Sequence, residues 1–217
     1  MPYPLIKYSI CELVNILDVK TVLDIGCNQG HWAEIVTNCV PKTNIVCVDG
    51  NCNHKNAIDS KGFRFVCACL SDKEKEVSFY SNPHGDSFST GRSYYLETTQ
   101  HFNADCYETI VTQTLDKIFS DDIFDMIKMD IQGAELDALI GGKTLISKSK
   151  CLVLETATGL YDYNKGSPTQ DMVVEWLKHN SFTPICSIDD LPYNGVVAHQ
   201  DVLFVANDYL NLFDKQP

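Results

Sequence analysis

Arginine is almost missing: Arg64 and Arg92 are the only two in 217 residues, and 17 basic side chains face 29 acidic ones, for a formal net charge of −12. Gripping a phosphate backbone is the work of clustered positive charge, so this balance argues against a chain whose main task is holding nucleic acid. Long apolar runs are also lacking. The longest, such as Cys151 to Leu154 and Val202 to Ala206, are strand-sized and far below the roughly 18 residues of a bilayer helix. The segment MPYPLIKYSICELVNIL has no charged region followed by a long apolar stretch and a small-residue cleavage site. It does not read as a secretory leader, and a reducing, cytoplasmic setting is expected.

Several motifs are absent as well. No C-x-x-C pair occurs, and Cys67 and Cys69 have no partners at zinc-knuckle spacing, which argues against structural zinc. Seven of the ten cysteines (Cys11, Cys27, Cys47, Cys67, Cys69, Cys151 and Cys186) sit in apolar periodic segments. They are expected to be buried thiols. A dinucleotide fingerprint would need glycine at positions 28 and 31, and a P-loop would end in G-K-[ST]; neither is present. No nucleophile elbow is recognisable, so covalent hydrolysis is not favoured.

What is present is ordinary globular composition, 44% hydrophobic and 21% charged, in a length that suits a single domain over 1–217. Apolar spacing predicts a helix from Ile10 to Leu17 within an N-terminal extension, 1–19. A β-prone run from Thr21 ends at Gly26, and a helix follows from His31 to Val40. The unit recurs with strands over Asn44 to Asp49 and Phe63 to Cys69. Further strands are expected over Phe124 to Ile131 and Cys151 to Glu155, with a helix from Ala134 to Ile146 bent at Gly141 and Gly142. Another helix covers Gln170 to His179, and Phe182 to Ile188 pairs with Asp201 to Ala206 across a short Pro/Gly-containing connection. The pattern is α/β: about seven strands, mostly parallel, with an antiparallel closing pair and helices on both faces. Val77 to Tyr80 reads as an added strand, and Ser81 to Asp105 as a surface insertion or lid.

Acids end four of these strands: Asp24, Asp49, Asp130 and Glu155. In open α/β sheets those ends face the ligand crevice. Gly26 and Gly30 permit a tight turn and close approach of a ligand to backbone, and asparagine, here Asn28, tolerates left-handed geometry. Asp49, about twenty residues downstream, is placed to accept ribose hydroxyls. Leu70 and Ser71 are placed to close over a base.

VLDIGCNQGHW, followed by VCVDG, ACLSD, TLDKIF, IKMDIQGAELDALIGG, VLE and DVLFV, resembles the FkbM-type family of class I S-adenosylmethionine-dependent methyltransferases over roughly Lys20 to Asn207. The resemblance implies a Rossmann-like fold and S-adenosylmethionine as cofactor. Asp24, Gly26, Asn28 and Gly30 would shape the methionine side, with Cys27, His31 and Trp32 beside them; Asp49 would hold the ribose, and Leu70 and Ser71 would border the adenine. Cys27 stands where alanine is usual, and Gln132 where the family often has glutamate.

Methyl transfer is displacement at carbon, so a site supplies alignment, desolvation and removal of the acceptor's proton. Asp130 and Glu155 are the candidate pair for that work, or for sharing a divalent cation such as magnesium. Asp130 could instead bind the amides of the Gly133 turn. Glu135 and Asp137 read as first-turn acids meeting a helix dipole. His199 and His84 are alternative bases. Lys128, two residues before Asp130, is not expected to reach the same pocket. The insertion's polar and aromatic residues suit a small hydroxylated or carbohydrate acceptor. The expected activity is therefore O-methylation of such a molecule. Ribose 2'-O-methylation of nucleic acid, which is disfavoured by charge, and a non-catalytic nucleoside-binding role are the alternatives.

Overall fold

The computed structural model describes residues 3–4, 8–82 and 91–213. His84 and residues 85–90 of the insertion lie outside them.

Seven strands form one sheet: β1 (Thr21–Ile25), β2 (Asn44–Asp49), β3 (Arg64–Cys67), β6 (Met126–Met129), β7 (Cys151–Ala157), β8 (Phe182–Tyr193) and β9 (Val196–Ala206). Their order is β3-β2-β1-β6-β7-β9-β8, with the first five parallel and β9 and β8 antiparallel. The helices are α1 (Ile10–Ile16), α2 (His31–Cys39), α3 (Lys55–Ser60), α4 (Leu115–Ile118), α5 (Glu135–Gly141), α6 (Lys143–Ile146) and α7 (Gln170–His179). The break between α5 and α6 falls at Gly142, where the paired glycines place it.

Period-2 alternation divides the strands between two apolar layers. Leu23, Ile25, Ile127, Met129, Leu152 and Leu154 pack with Leu136, Leu139, Val173 and Leu177 on one face. Val22, Met126, Cys151, Val153, Leu203 and Val205 pack with Leu13, Val14, Val36 and Ile58 on the other. Burial of each such side chain contributes about 1.5–3 kcal/mol, and it is this double coverage that makes the parallel strands apolar throughout.

Three expectations are corrected. The Pro/Gly connection after Ile188 is a continuous hairpin, because Asn194 and Gly195 adopt the positive φ values (48° and 80°) that a two-residue turn requires. β4 (Glu76–Tyr80) leaves the main sheet and pairs antiparallel with β5 (Tyr107–Val111), so the insertion is carried on its own ribbon. Cys11 and Cys67 are not thiols: Cys11 joins Cys39, and Cys67 joins Cys52, with Cα separations of 5.1 and 5.2 Å. Cys27, Cys47, Cys69, Cys151 and Cys186 lie outside these two disulfides and are buried as expected. Among the described residues, no helix is long and apolar enough to cross a membrane.

Candidate active site

The crevice lies at the C-terminal ends of the parallel strands, where strand order reverses between β1 and β6. Gly26 ends β1 with φ 73°, and a Cβ there would overlap the Asp130 carbonyl oxygen. Glycine alone therefore lets the β1 and β6 ends close up. Asn28 follows with φ 48°; its N–H donates to Asp49 Oδ2 (2.9 Å), while its buried Oδ1 accepts no hydrogen bond. The other Asp49 oxygen accepts the Asn51 N–H (2.8 Å). The acid at the end of β2 thus ties down two loops, and burial raises its pKa. Each carboxylate oxygen has two lone pairs, so a ligand hydroxyl can still be served.

The parallel register sets the electrostatics. Asp24 lies beside Lys128 across β1 and β6. Residues i and i+2 of a strand share a face, so Lys128 and Asp130 do too. Lys128 Nζ is 3.1 Å from Asp130 Oδ2 and 4.0 Å from Asp24 Oδ1. Lys128 thus touches Asp130 without lining the crevice itself. Burial opposes its charge, but the two carboxylates outweigh burial and hold the ammonium above its ordinary pKa. Asp24 is completely buried, and burial raises its pKa to about 6 despite Lys128.

Glu155, at the end of β7, is joined to Asp130 by one side chain. Gln132 Nε2 donates to Asp130 Oδ1 and to Glu155 Oε2, both at 2.8 Å. Gln132 itself adopts φ 56°, a strained backbone of the kind that clusters at sites of function. Enclosure would raise both acids; Lys128 and Gln132 instead hold Asp130 below the usual carboxylate range, while burial and the Asp130 charge push Glu155 well above it. The two acids are thus pushed in opposite directions. An amide occupies the place between the carboxylates that a shared cation would take.

The amides of the Gly133 turn are served not by Asp130 but by Glu135, whose Oε1 accepts the Ile131 N–H (2.9 Å); burial raises its pKa to about 8. Asp137 is likewise more than a first-turn acid. It accepts the hydroxyls of Tyr94 (2.8 Å) and Tyr95 (3.1 Å), anchoring the insertion to α5.

Gly26, Asn28, Asp49, Leu70 and Asp130 line the crevice, whose volume is about 230 Å³. The structure does not bring Asp24, Cys27, Gly30, His31, Trp32, Ser71 or Glu155 to that lining. Cys27 is buried in the α1–α2 layer, against which Trp32 packs; Gly30 caps α2. Exposed His31 pairs with Glu34 (3.4 Å). Ser71 is fully buried, and its Oγ donates to Asp72 (3.0 Å). Phe79, Asn51 and His54 line the crevice without having been singled out from the sequence, and Arg92 and Tyr94, among the insertion's polar and aromatic residues, join them. Phe79 and Arg92 reach it from the β4–β5 side, with the guanidinium 5.1 Å from the ring centre, and no local pattern marks that approach.

Comparisons with known proteins agree with this geometry. A family model described as the methyltransferase FkbM domain matches residues 24–184. The chain is 28% identical over 163 residues to 2-O-methyltransferase NoeI of Sinorhizobium fredii, covering 66% of this chain and 67% of that protein. Its fold is similar to that of methyltransferase FkbM from Methylobacillus flagellatus (TM-score 0.53, 14% identity), with 87% of this chain matching 44% of that one. It is similar also to that of the plantazolicin methyltransferase BamL (TM-score 0.55, 13% identity, 91% and 83% covered). With the family model covering most of its length, the chain belongs to the FkbM family of S-adenosylmethionine-dependent methyltransferases.

Proposed function

We propose that this methyltransferase acts on a hydroxyl oxygen of a small, sugar-like acceptor. The observation that carries the reading is the Asp130–Gln132–Glu155 bridge: two acids held together by one amide at the crevice's inner end, beside the loop that would hold the cofactor. An alcohol must lose its proton as the methyl arrives, and an acid pair whose members are pushed in opposite directions offers a carboxylate to receive it. The relative NoeI is described as a 2-O-methyltransferase, which supports oxygen as the acceptor atom.

The residues present fit S-adenosylmethionine. The buried Asn28 Oδ1 accepts no hydrogen bond and is free to meet a ligand donor, while Gly26 keeps its loop packed tightly against the Asp130 backbone at the crevice's edge. In this reading Asp24, Gly26 and Asn28 shape the methionine end, Asp49 takes the ribose hydroxyls, and Leu70 borders the base with Phe79 opposite. Gly30 shapes the loop from behind, as do Cys27 and Trp32 by packing. Ser71 acts through Tyr94, its Oγ lying 3.3 Å from that hydroxyl. The bound cofactor supplies an electrophilic methyl group; the protein orients the acceptor and moves its proton. Residues 91–94 of the 81–105 insertion wall the crevice.

Calorimetry should give micromolar binding of S-adenosylmethionine. A labelled-methyl screen over sugars, hydroxylated metabolites, peptides and RNA should label hydroxylated small molecules. Asp130→Asn and Glu155→Gln should lower transfer at least about 100-fold with cofactor affinity retained; unchanged rates would remove both from the chemistry. A second reading, ribose 2'-O-methylation, draws on Lys128 standing 3.1 Å from Asp130, and exclusive labelling of RNA would establish it. A cytoplasmic setting, for its part, would keep Cys11, Cys39, Cys52 and Cys67 reduced, and thiol counting on protein from its native compartment tests that.

A further inference from the structure

Beyond the Gln132 bridge lies a second hollow. Asp130 and Gln132 line the cofactor crevice, whereas Glu155 lines a recess of about 110 Å³ together with Asp189, Leu191, His199 and Asp201. This is less than half the volume of the crevice, enough for the edge of a ring and too little for a nucleoside. Sheet register explains the grouping: Glu155 pairs with Asp201 across β7 and β9, and His199 shares the Asp201 face by period-2 alternation.

His199 is the unexplained group. It is 2% exposed and its Nδ1 accepts no hydrogen bond. That nitrogen stands 3.9 Å from Glu155 Oε2, too far for a direct bond. One oxygen placed about 2.8 Å from each would satisfy both. Burial disfavours charge on both groups: it lowers the imidazole's pKa to about 4 and pushes that of Glu155 well above the usual carboxylate range. A ligand hydroxyl there would lie within hydrogen-bond reach of both His199 Nδ1 and Glu155 Oε2.

Two further features select the ligand. Every ionisable group lining the recess apart from His199 is a carboxylic acid, and the neighbouring cation, Lys128, is engaged by Asp130 and Asp24. An anion entering would meet unbalanced negative charge. Against His199 stands a cluster of half-buried tyrosines: Tyr163 lies 5.0 Å from the imidazole, Tyr193 lies 5.3 Å from Tyr163, and Tyr161 lies 4.9 Å from Tyr193. Aromatic rings beside hydrogen-bonding acids suit the CH faces and hydroxyls of a saturated ring.

We propose that the recess at Glu155, His199 and Asp201 is the acceptor subsite, seating the hydroxyl-bearing edge of a neutral or cationic sugar-like ring and rejecting anionic ones. This rests on the proposed O-methyl transfer and adds to it the charge class of the acceptor. His199 touches the hydroxyl beside the methyl-transfer centre, and Gln132 is the partition across which acceptor and cofactor meet.

Saturation-transfer NMR on the full chain, with S-adenosylhomocysteine bound, tests the subsite without needing turnover. The probes are methyl glucoside, glucosamine and glucuronate. The first two should show transfer, with glucuronate weaker by about tenfold or more. His199→Gln should abolish the sugar signals, and the double variant Asp189→Asn/Asp201→Asn should admit glucuronate, a gain that mere structural damage would not produce. Equal signals from glucuronate and glucosamine in the parent, no signal from any probe, or signals indifferent to His199→Gln would each overturn the proposal. Calorimetry of S-adenosylhomocysteine on every variant separates the two readings: cofactor product bound but sugars absent defeats the subsite alone, whereas no cofactor binding by a folded parent defeats the methyltransferase reading beneath it.

Discussion

Gln132 holds two acids together with one amide, so its replacement tests the electrostatics directly. Gln132→Glu would set a third carboxyl between Asp130 and Glu155, in place of an N–H group that now reaches both. At about pH 8 the variant should be about 1–3 kcal/mol less stable than the parent, the difference shrinking towards pH 5 as the new acid gains a proton and can donate; denaturant titration at the two pH values measures it. Glu135 makes a second prediction. Its folded pKa, about 8, lies above its ordinary 4.5, so the native state binds the proton more tightly than the unfolded chain does. The resulting stabilisation is complete below the ordinary value and is lost as pH rises through about 8. Asp24, raised to about 6, acts in the same direction. The melting temperature should therefore fall between about pH 5 and pH 8, and Glu135→Gln, which preserves an acceptor for the Ile131 N–H, should flatten that fall.

Elements, not single residues, build the crevice wall. The β4–β5 ribbon brings Phe79 over Gly50, where a Cβ would come within 2.6 Å of the ring. The chain beyond β4 returns to α5 through two tyrosine hydroxyls on Asp137. Replacing both tyrosines by phenylalanine removes two charge-assisted hydrogen bonds, each contributing about 1–2 kcal/mol. The double variant should bind S-adenosylmethionine at least about fivefold more weakly while the main sheet, which these side chains do not touch, melts within a few degrees of the parent; calorimetry and a thermal melt report the two effects. A melt that dropped with no change in affinity would show that the anchor serves stability rather than the pocket. The helix–strand order, the bend at Gly142 and the antiparallel closing pair were legible in the sequence because each follows from local periodicity or turn chemistry. The ribbon's pairing was not, since β4 and β5 lie 26 residues apart across the polar insertion and nothing local specifies the partner.

At the scale of the molecule, two cystines bind the layers: Cys11–Cys39 joins α1 to α2, and Cys52–Cys67 joins the turn after β2 to the end of β3, beside the crevice. Closing loops of 28 and 15 residues restricts the unfolded chain by about 3 kcal/mol each. Reduction should lower stability by several kcal/mol in denaturant melts, and Cys52→Ser/Cys67→Ser should weaken cofactor binding while Cys11→Ser/Cys39→Ser leaves it unchanged. The sequence by itself determined the alternation of strands and helices, the glycine turn after β1 and the acids that end four strands, because periodicity and backbone permissiveness act over a few residues. Only the tertiary structure decided which of those acids meet. Parallel register set Lys128 between Asp24 and Asp130, a left-handed backbone at Gln132 bridged Asp130 to Glu155, and β9 carried His199 to the same place. Each contact joins residues on different strands or loops, and the free energy of a charge depends on what is brought within a few ångströms of it, which chain order alone does not state.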